Sequence, residues 1–324
     1  MKRFTSIMFG LILLFSVAVS AGAAAETEGQ SKYLPYGYVG GLSEGMAFYC
    51  DFGGTDKCGF IDTNGKIVIP AKYDQVAVFS EGLAAYQINE RWGYVDKTGK
   101  EIVPAIYDKA AVEFAEGMAQ VAIDGKWGYI DRMGKEVIPL IYEDTNSFHD
   151  GLAHVKIDGQ FGYIDQAGKM VIEPQFEAAY SFGDGLAPVR SNGKWGFIDK
   201  SDRLVVPYAY EDARSFSDGL ALVQAGGKWG YVDTSGKTVV APQYIGARGY
   251  KEGLSAVRTV DEKWGFIDKS GKWAIQPQYV EADSFSDGLA FVAKEYEEGG
   301  FIDPSGKALT DFAYVEATPF SDGL

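Results

Sequence analysis

The chain has 324 residues, a formal net charge of −15 and 46% hydrophobic residues. An acidic excess of this size repels phosphate backbones and anionic headgroups, so no nucleic-acid partner is expected. With 41 glycines, 14% aromatics and few stretches of helical period, the composition points to short strands joined by glycine turns.

In chain order, the first element is a targeting segment. Lys2 and Arg3 precede an apolar run from Ile7 to Val19, and Ala23-Ala24-Ala25 fits a small-residue cleavage site before Glu26. Residues 1–25 are therefore predicted to be a signal peptide cleaved after Ala25, followed by a linker at 26–35. The mature chain would be secreted or envelope-associated, or periplasmic where the cell has an outer membrane. It would be two charges more negative, since Lys2 and Arg3 leave with the leader. The apolar run is short for a bilayer span and no other long one follows, so the mature chain is not expected to insert into a membrane.

From residue 36 onward one phrase recurs: F-S-D-G-L-A-x-V, a variable loop, K-W-G-Y-I-D-x-x-G-K, and V-I-x-P-x-Y. Its first glycine falls at Gly45, Gly82, Gly117, Gly151, Gly185, Gly219, Gly253, Gly288 and Gly323, a spacing of 34 or 35 residues in all steps but the first. A fixed period of this kind is the signature of a repeat architecture. L-A-x-V and W-G-Y-I-D are predicted as alternating strands, and D-x-x-G-K as a turn into a third strand that ends near the Pro. Asp202 replaces the turn glycine once, which fits a left-handed position that Asp tolerates. The expected fold is all-β: about eight three-stranded antiparallel units over 36–324, with partial units at both ends. They stack as an open solenoid or superhelix, the alternative being a closed propeller-like ring. The Trp of each phrase (Trp92, Trp127, Trp195, Trp229 and Trp264, with Phe161 substituting once) is predicted to stack between repeats, and the following Gly to let an aromatic ring lie on the backbone. The first and eighth units carry Cys58 and Gly299 instead of Trp. Loss of the ring at both ends favours the open form.

The phrases K-W-G-Y-I-D (126–131), K-W-G-F-I-D (194–199) and K-W-G-Y-V-D (228–233) resemble the bacterial WG-repeat family, also called KWG repeats. The resemblance covers nearly all of 36–324. It implies a β-rich repeat scaffold, often exported, and no established reaction.

No catalytic residue, cofactor site or metal site is predicted, and the chain is not expected to be an enzyme. His149 and His154, the two histidines, read as surface variants of repeat positions, and no Cys/His metal spacing or phosphate loop is present. The periodic acids could line up as stripes able to hold Ca²⁺, but no D-x-D-x-D-G loop occurs and they read more simply as turn formers. Cys50 and Cys58 flank the first hairpin loop and are a candidate disulfide for an exported chain. Trp273 stands where other units vary and is a candidate ligand contact. The function expected is a scaffold that binds a protein or cell-envelope polymer by many weak contacts, read from the variable hairpin loops. The alternatives are a passive spacer and a carbohydrate or cell-wall binding module.

Overall fold

The computed structural model describes residues 38–51, 56–295 and 298–312. The predicted leader, its cleavage site, the linker and the closing residues from 313 lie outside them. Among the described residues there is no helix, and the strands form eight small antiparallel sheets in chain order.

Most sheets have four strands, one more than the repeat phrase predicts. Sheet five shows the pattern: Ala178–Ala179, Leu186–Ser191, Lys194–Asp199 and Leu204–Tyr210, each paired with the next. The added strand is only two residues long and pairs Ala178 with Arg190 and Ala179 with Val189. Two residues carry no periodicity, so a pattern search passes over them.

The turns follow from local chemistry. Asp96 accepts backbone N–H groups from Thr98 at 2.9 Å and Lys100 at 3.0 Å, and Gly99 lies at φ 82°. Asp202 holds the same position at φ 61°, as its place in the phrase predicts. These Asp turns recur through Asp303, and the backbone donors hold carboxyls such as Asp62 and Asp199 below their usual range. In sheets two to six the loops between second and third strands are two-residue turns with both residues at positive φ, as at Asp124-Gly125, Asp158-Gly159 and Asn192-Gly193. That is the hairpin turn whose twist matches the flanking strands.

The glycine after Trp has a different cause from the one its sequence context suggests. The third and fourth strands slip register beside it: Trp127 pairs with Tyr142, but Tyr129 pairs with Ile138. The extra residues bulge around Pro139 on the outer edge strand, where a missing N–H is tolerated. A Cβ on Gly128 would lie 2.5 Å from the Ile138 carbonyl oxygen and 2.7 Å from the Pro139 carbonyl carbon. Backbone, not an aromatic ring, excludes a side chain there. A ring does cover glycine at Gly299, where a Cβ would meet Phe291 at 2.1 Å.

Each internal sheet is covered on both faces by its neighbours. In sheet two, Ala84, Tyr86 and Val95 pack backward with Phe60, Ile69 and Phe79, while Leu83, Ala85 and Tyr94 pack forward with Phe114, Ala119 and Val121. The main contact between sheets is a pair of rings, one from W-G-Y and one from the next F-S-D. Examples are Tyr94 with Phe114 at 4.9 Å, Tyr163 with Phe182 at 4.9 Å and Tyr231 with Tyr250 at 4.8 Å, all within the range of favourable edge contacts. The tyrosine hydroxyl then donates to a carbonyl of the next sheet: Tyr94 to Ala111 at 2.8 Å, Tyr163 to Tyr180 at 2.8 Å, Tyr231 to Arg248 at 2.9 Å.

A second ladder runs along the F-S-D-G turns. The acid of one turn accepts the N–H of the next turn's glycine: Glu81 from Gly117 at 3.0 Å, Asp150 from Gly185 at 2.9 Å, Asp184 from Gly219 at 2.7 Å. The periodic acids are thus engaged in joining units. Among the described residues no cluster of three His, Cys, Asp or Glu side chains is placed to hold a metal ion.

Every closely packed pair of strands lies within one sheet or in sheets consecutive along the chain. Nearest-neighbour packing of this kind is the physics of a stacked array. In sheet one a disulfide joins Cys50 to Cys58, which face each other across the hairpin with Cα atoms 4.0 Å apart.

Candidate functional site

One residue per unit helps tie the sheets together through its main-chain groups. It follows the short leading strand: Ala77, Ala111, Asn146, Tyr180, Arg214, Arg248 and Asp283. Its N–H bonds to the following strand, as from Arg214 to Leu222 at 3.0 Å and Arg248 to Ala256 at 3.0 Å. Its carbonyl receives the tyrosine hydroxyl of the preceding sheet where that residue is Tyr. Where the residue is Ala the fold uses its main-chain groups alone, whereas Asn146 and Arg248 add side-chain bonds of their own. In sheets two and three the residue is Ala; from sheet four onward it is large and polar.

The side chains of Asn146, Tyr180, Arg214 and Arg248 line one open groove of about 660 Å³. Its walls include Asn146 and His154 from sheet four, Tyr180 and Ser181 from sheet five, Arg214 from sheet six and Arg248 from sheet seven. Tyr180 lies flat on Trp195, with ring centroids 4.9 Å apart and planes 2° from parallel. The Arg214 guanidinium sits 5.5 Å from the Tyr180 ring and 5.4 Å from Trp229, which makes a layered stack of Trp195, Tyr180, Arg214 and Trp229. Arg248 covers Trp264 at 5.6 Å. A planar guanidinium held over aromatic faces keeps its edge N–H groups directed and its rotamer fixed.

Both arginines are partly paired. Arg214 Nη1 donates to Asp212 Oδ1 at 2.5 Å and to the Ala213 carbonyl at 3.1 Å. Arg248 Nε donates to the Ala282 carbonyl at 2.8 Å, and its Nη2 meets Asp283 Oδ1 at 2.8 Å. Arg214 Nη2 and Arg248 Nη1 have no such bond among the described residues. Acceptors nearby are already taken: Asn146 Oδ1 by the His154 N–H at 3.0 Å, and the Ser181 carbonyl by Ser215 Oγ at 2.6 Å.

His154 departs most from its sequence reading. It fills the x of L-A-x-V, opposite Tyr163 in the register, and only 9% of its surface is exposed. It is not a surface variant, because that strand position faces the next sheet rather than solvent. Other sheets place Ala85, Leu222 or Ala256 there, all buried. Its ring stands edge-on to Phe161 at 5.4 Å. Nδ1 is sealed from solvent without a hydrogen-bond partner. Burial pushes the imidazole down to about 4, so it is neutral at physiological pH. His149, by contrast, is exposed at the edge of its turn.

The other predicted site residues lie as follows. Trp195 is buried, whereas Trp92, Trp127, Phe161, Trp229 and Trp264 are half-buried at the rims of their sheet contacts. Trp127 lies beneath Lys109 and Phe161 beneath Lys156. Trp273 is half-buried with its ring 6.0 Å from Tyr244, edge-on, and does not line the groove. The hairpin loops taken as the reading surface are tight turns. Carboxylates of their own sheets hold several of them, as Glu177 holds the Gly193 N–H at 3.1 Å. The groove row was missed for want of in-register comparison two residues before F-S-D. There the run Asn146, Tyr180, Arg214, Arg248 stands out against Ala77.

The profile of the WG containing repeat matches the chain in eight consecutive segments, residues 59–92, 92–127, 127–160, 161–195, 195–229, 229–264, 264–296 and 300–324. Among solved structures the chain is similar to a eukaryotic initiation factor, with 11% identity, a TM-score of 0.58, and coverage of 80% of this chain and 82% of that one. That likeness shows the fold alone. Weaker likenesses are to the computationally designed Ika8 protein (13% identity, TM-score 0.48, 85% of this chain and 94% of that one) and to BamB from Moraxella catarrhalis (10%, 0.45, 83% and 91%). No curated protein matches the chain.

Proposed function

The chain belongs to the family of WG containing repeats, and on that basis we propose that it is an exported, non-enzymatic scaffold that binds an extended protein or envelope-polymer partner along the groove of sheets four to seven. The observation that carries this reading is the row itself. Asn146, Tyr180, Arg214 and Arg248 occupy successive units at a position where Ala suffices in sheets two and three. A partner crossing several units gains from each of them, so modest contacts add through effective concentration. Export is supported by the basic start, the apolar run and the Ala23-Ala24-Ala25 site.

The test is capture from the culture fluid and cell-wall fraction of the producing cells. The bait is the mature chain, compared with a Tyr180→Ala/Arg214→Ala/Arg248→Ala variant that gives sheets five to seven the residue of sheets two and three. The wild type should retain a partner that the variant loses by at least tenfold, with the same β circular-dichroism spectrum. Equal capture by both would overturn the groove reading. N-terminal sequencing of the protein recovered from the producing cells should begin at Glu26, and an intact Met1 would remove the export half.

A further inference from the structure

The groove presents two guanidinium groups that each keep, among the described residues, an unpaired N–H edge beside their Asp partner, and this bears on what it binds. Arg214 Nη2 and Arg248 Nη1 are directed N–H groups held in place by Trp229, Trp264 and the acids Asp212 and Asp283. The Asn146 amide oxygen and the Ser181 carbonyl are already occupied, while the Ser284 hydroxyl also lines the groove. His154 adds a donor. Its Nδ1 is shut away with no partner, and a buried unpaired N–H is a rarer and more costly orphan than an unpaired acceptor. The tautomer that avoids this carries its proton on Nε2, the ring nitrogen that a groove ligand could meet. Fixed donors of this kind are complementary to an acceptor-only group, and forked guanidinium edges fit a carboxylate in particular.

Resting on the groove reading above, we infer that the groove selects the carboxylates of an acidic, extended peptide segment. Arg214 and Arg248 would each engage one carboxylate, with His154 and Ser284 contributing hydrogen bonds between them. A peptide suits a groove that crosses successive units, since its backbone carbonyls are further acceptors at regular intervals. The overall charge of −15 opposes an acidic partner at long range. That repulsion is screened beyond about 8 Å at physiological ionic strength, whereas charge-assisted bonds at contact are not. The global charge thus slows approach, and the local donors decide affinity.

The test titrates fluorescein-labelled hexaglutamate and hexaglutamine into the mature chain and its variants. Hexaglutamate should bind at least tenfold more tightly than hexaglutamine. Arg214→Gln/Arg248→Gln should weaken hexaglutamate by at least tenfold and leave hexaglutamine within twofold. His154→Leu, which places the residue of sheet six in sheet four, should weaken hexaglutamate about threefold to tenfold. If the double Gln variant does not fold, Arg214→Lys/Arg248→Lys keeps the charge and removes the fork, and a loss of at least threefold is expected. Equal binding of the two peptides, no binding of hexaglutamate, or full affinity in the folded arginine variant would overturn the inference. Equal binding of both peptides that is lost in the triple Ala variant would overturn carboxylate selection and leave the groove reading standing.

Discussion

Replacing Tyr231 by Ala should destabilise the protein by about 3–5 kcal/mol, the range for removing a large buried aromatic. Replacing Trp229, two residues earlier, should cost less than half of that. Tyr231 is fully buried, its ring lies 4.8 Å from Tyr250, and its hydroxyl donates to the Arg248 carbonyl at 2.9 Å. Trp229 is half-buried with a guanidinium over one face, so truncation lets water and the Arg214 stem fill part of the gap. Tyr231→Phe should cost about 1–3 kcal/mol, because the hydroxyl bonds the buried Ser255 Oγ at 2.5 Å as well as the Arg248 carbonyl. Phe60, Phe197 and Phe266 already occupy that position in other sheets. Urea unfolding followed by circular dichroism provides the comparison. A Trp229→Ala loss equal to or larger than that of Tyr231→Ala would place the inter-sheet contact on the tryptophans instead.

The second large effect is on acid stability. His154 titrates near 4 in the folded chain because burial disfavours its charged form, and near 6.5 when unfolded. Between these values the unfolded chain binds the extra proton, so stability falls as pH drops from about 6.5 toward 4. The full loss across that window is up to about 3 kcal/mol. His154→Leu removes the titrating group and should flatten the curve. Leu222 fills the equivalent buried place in sheet six, so the substitution suits the site. The turn carboxylates do not confuse the measurement. Asp96 and Asp233 are held below their ordinary value of 3.8, so the stability they contribute is present above it and is lost only at lower pH. Denaturant midpoints at pH 6.5 and 5 decide the matter. An equal decline in wild type and His154→Leu would mean that some other group carries it.

Much of the architecture is legible in the sequence because it rests on backbone demands that few residues meet. The positive φ values at Gly99 and Asp202, and the Asp carboxylates that accept N–H groups two and four residues on, leave a fixed spacing in every unit. The Gly after Trp is equally visible, but its reason is not. A bulge around Pro139 brings a distant backbone onto Gly128, and local sequence gives no sign of that approach.

The candidate site was hidden for a related reason. Alternation along L-A-x-V implies one wet face, yet Leu83, Ala84, Ala85 and Tyr86 are all buried because each internal sheet is covered on both sides. Read as alternating, His154 faces solvent; in the stack it faces the next sheet. The groove row escaped because the structural work common to its units is done by main-chain atoms, which leave no residue preference behind.

The account turns on which surface meets the partner, and amide hydrogen exchange with and without hexaglutamate tests this directly. Added peptide should slow exchange at residues 146–147, 180–181, 214–215, 248–249 and 283–284, a row that recurs once per unit through sheets four to eight. Exchange at the hairpin tips 124–125, 158–159, 192–193 and 226–227 should not change. Protection at the tips with none along the row would contradict the account and return the reading surface to the loops.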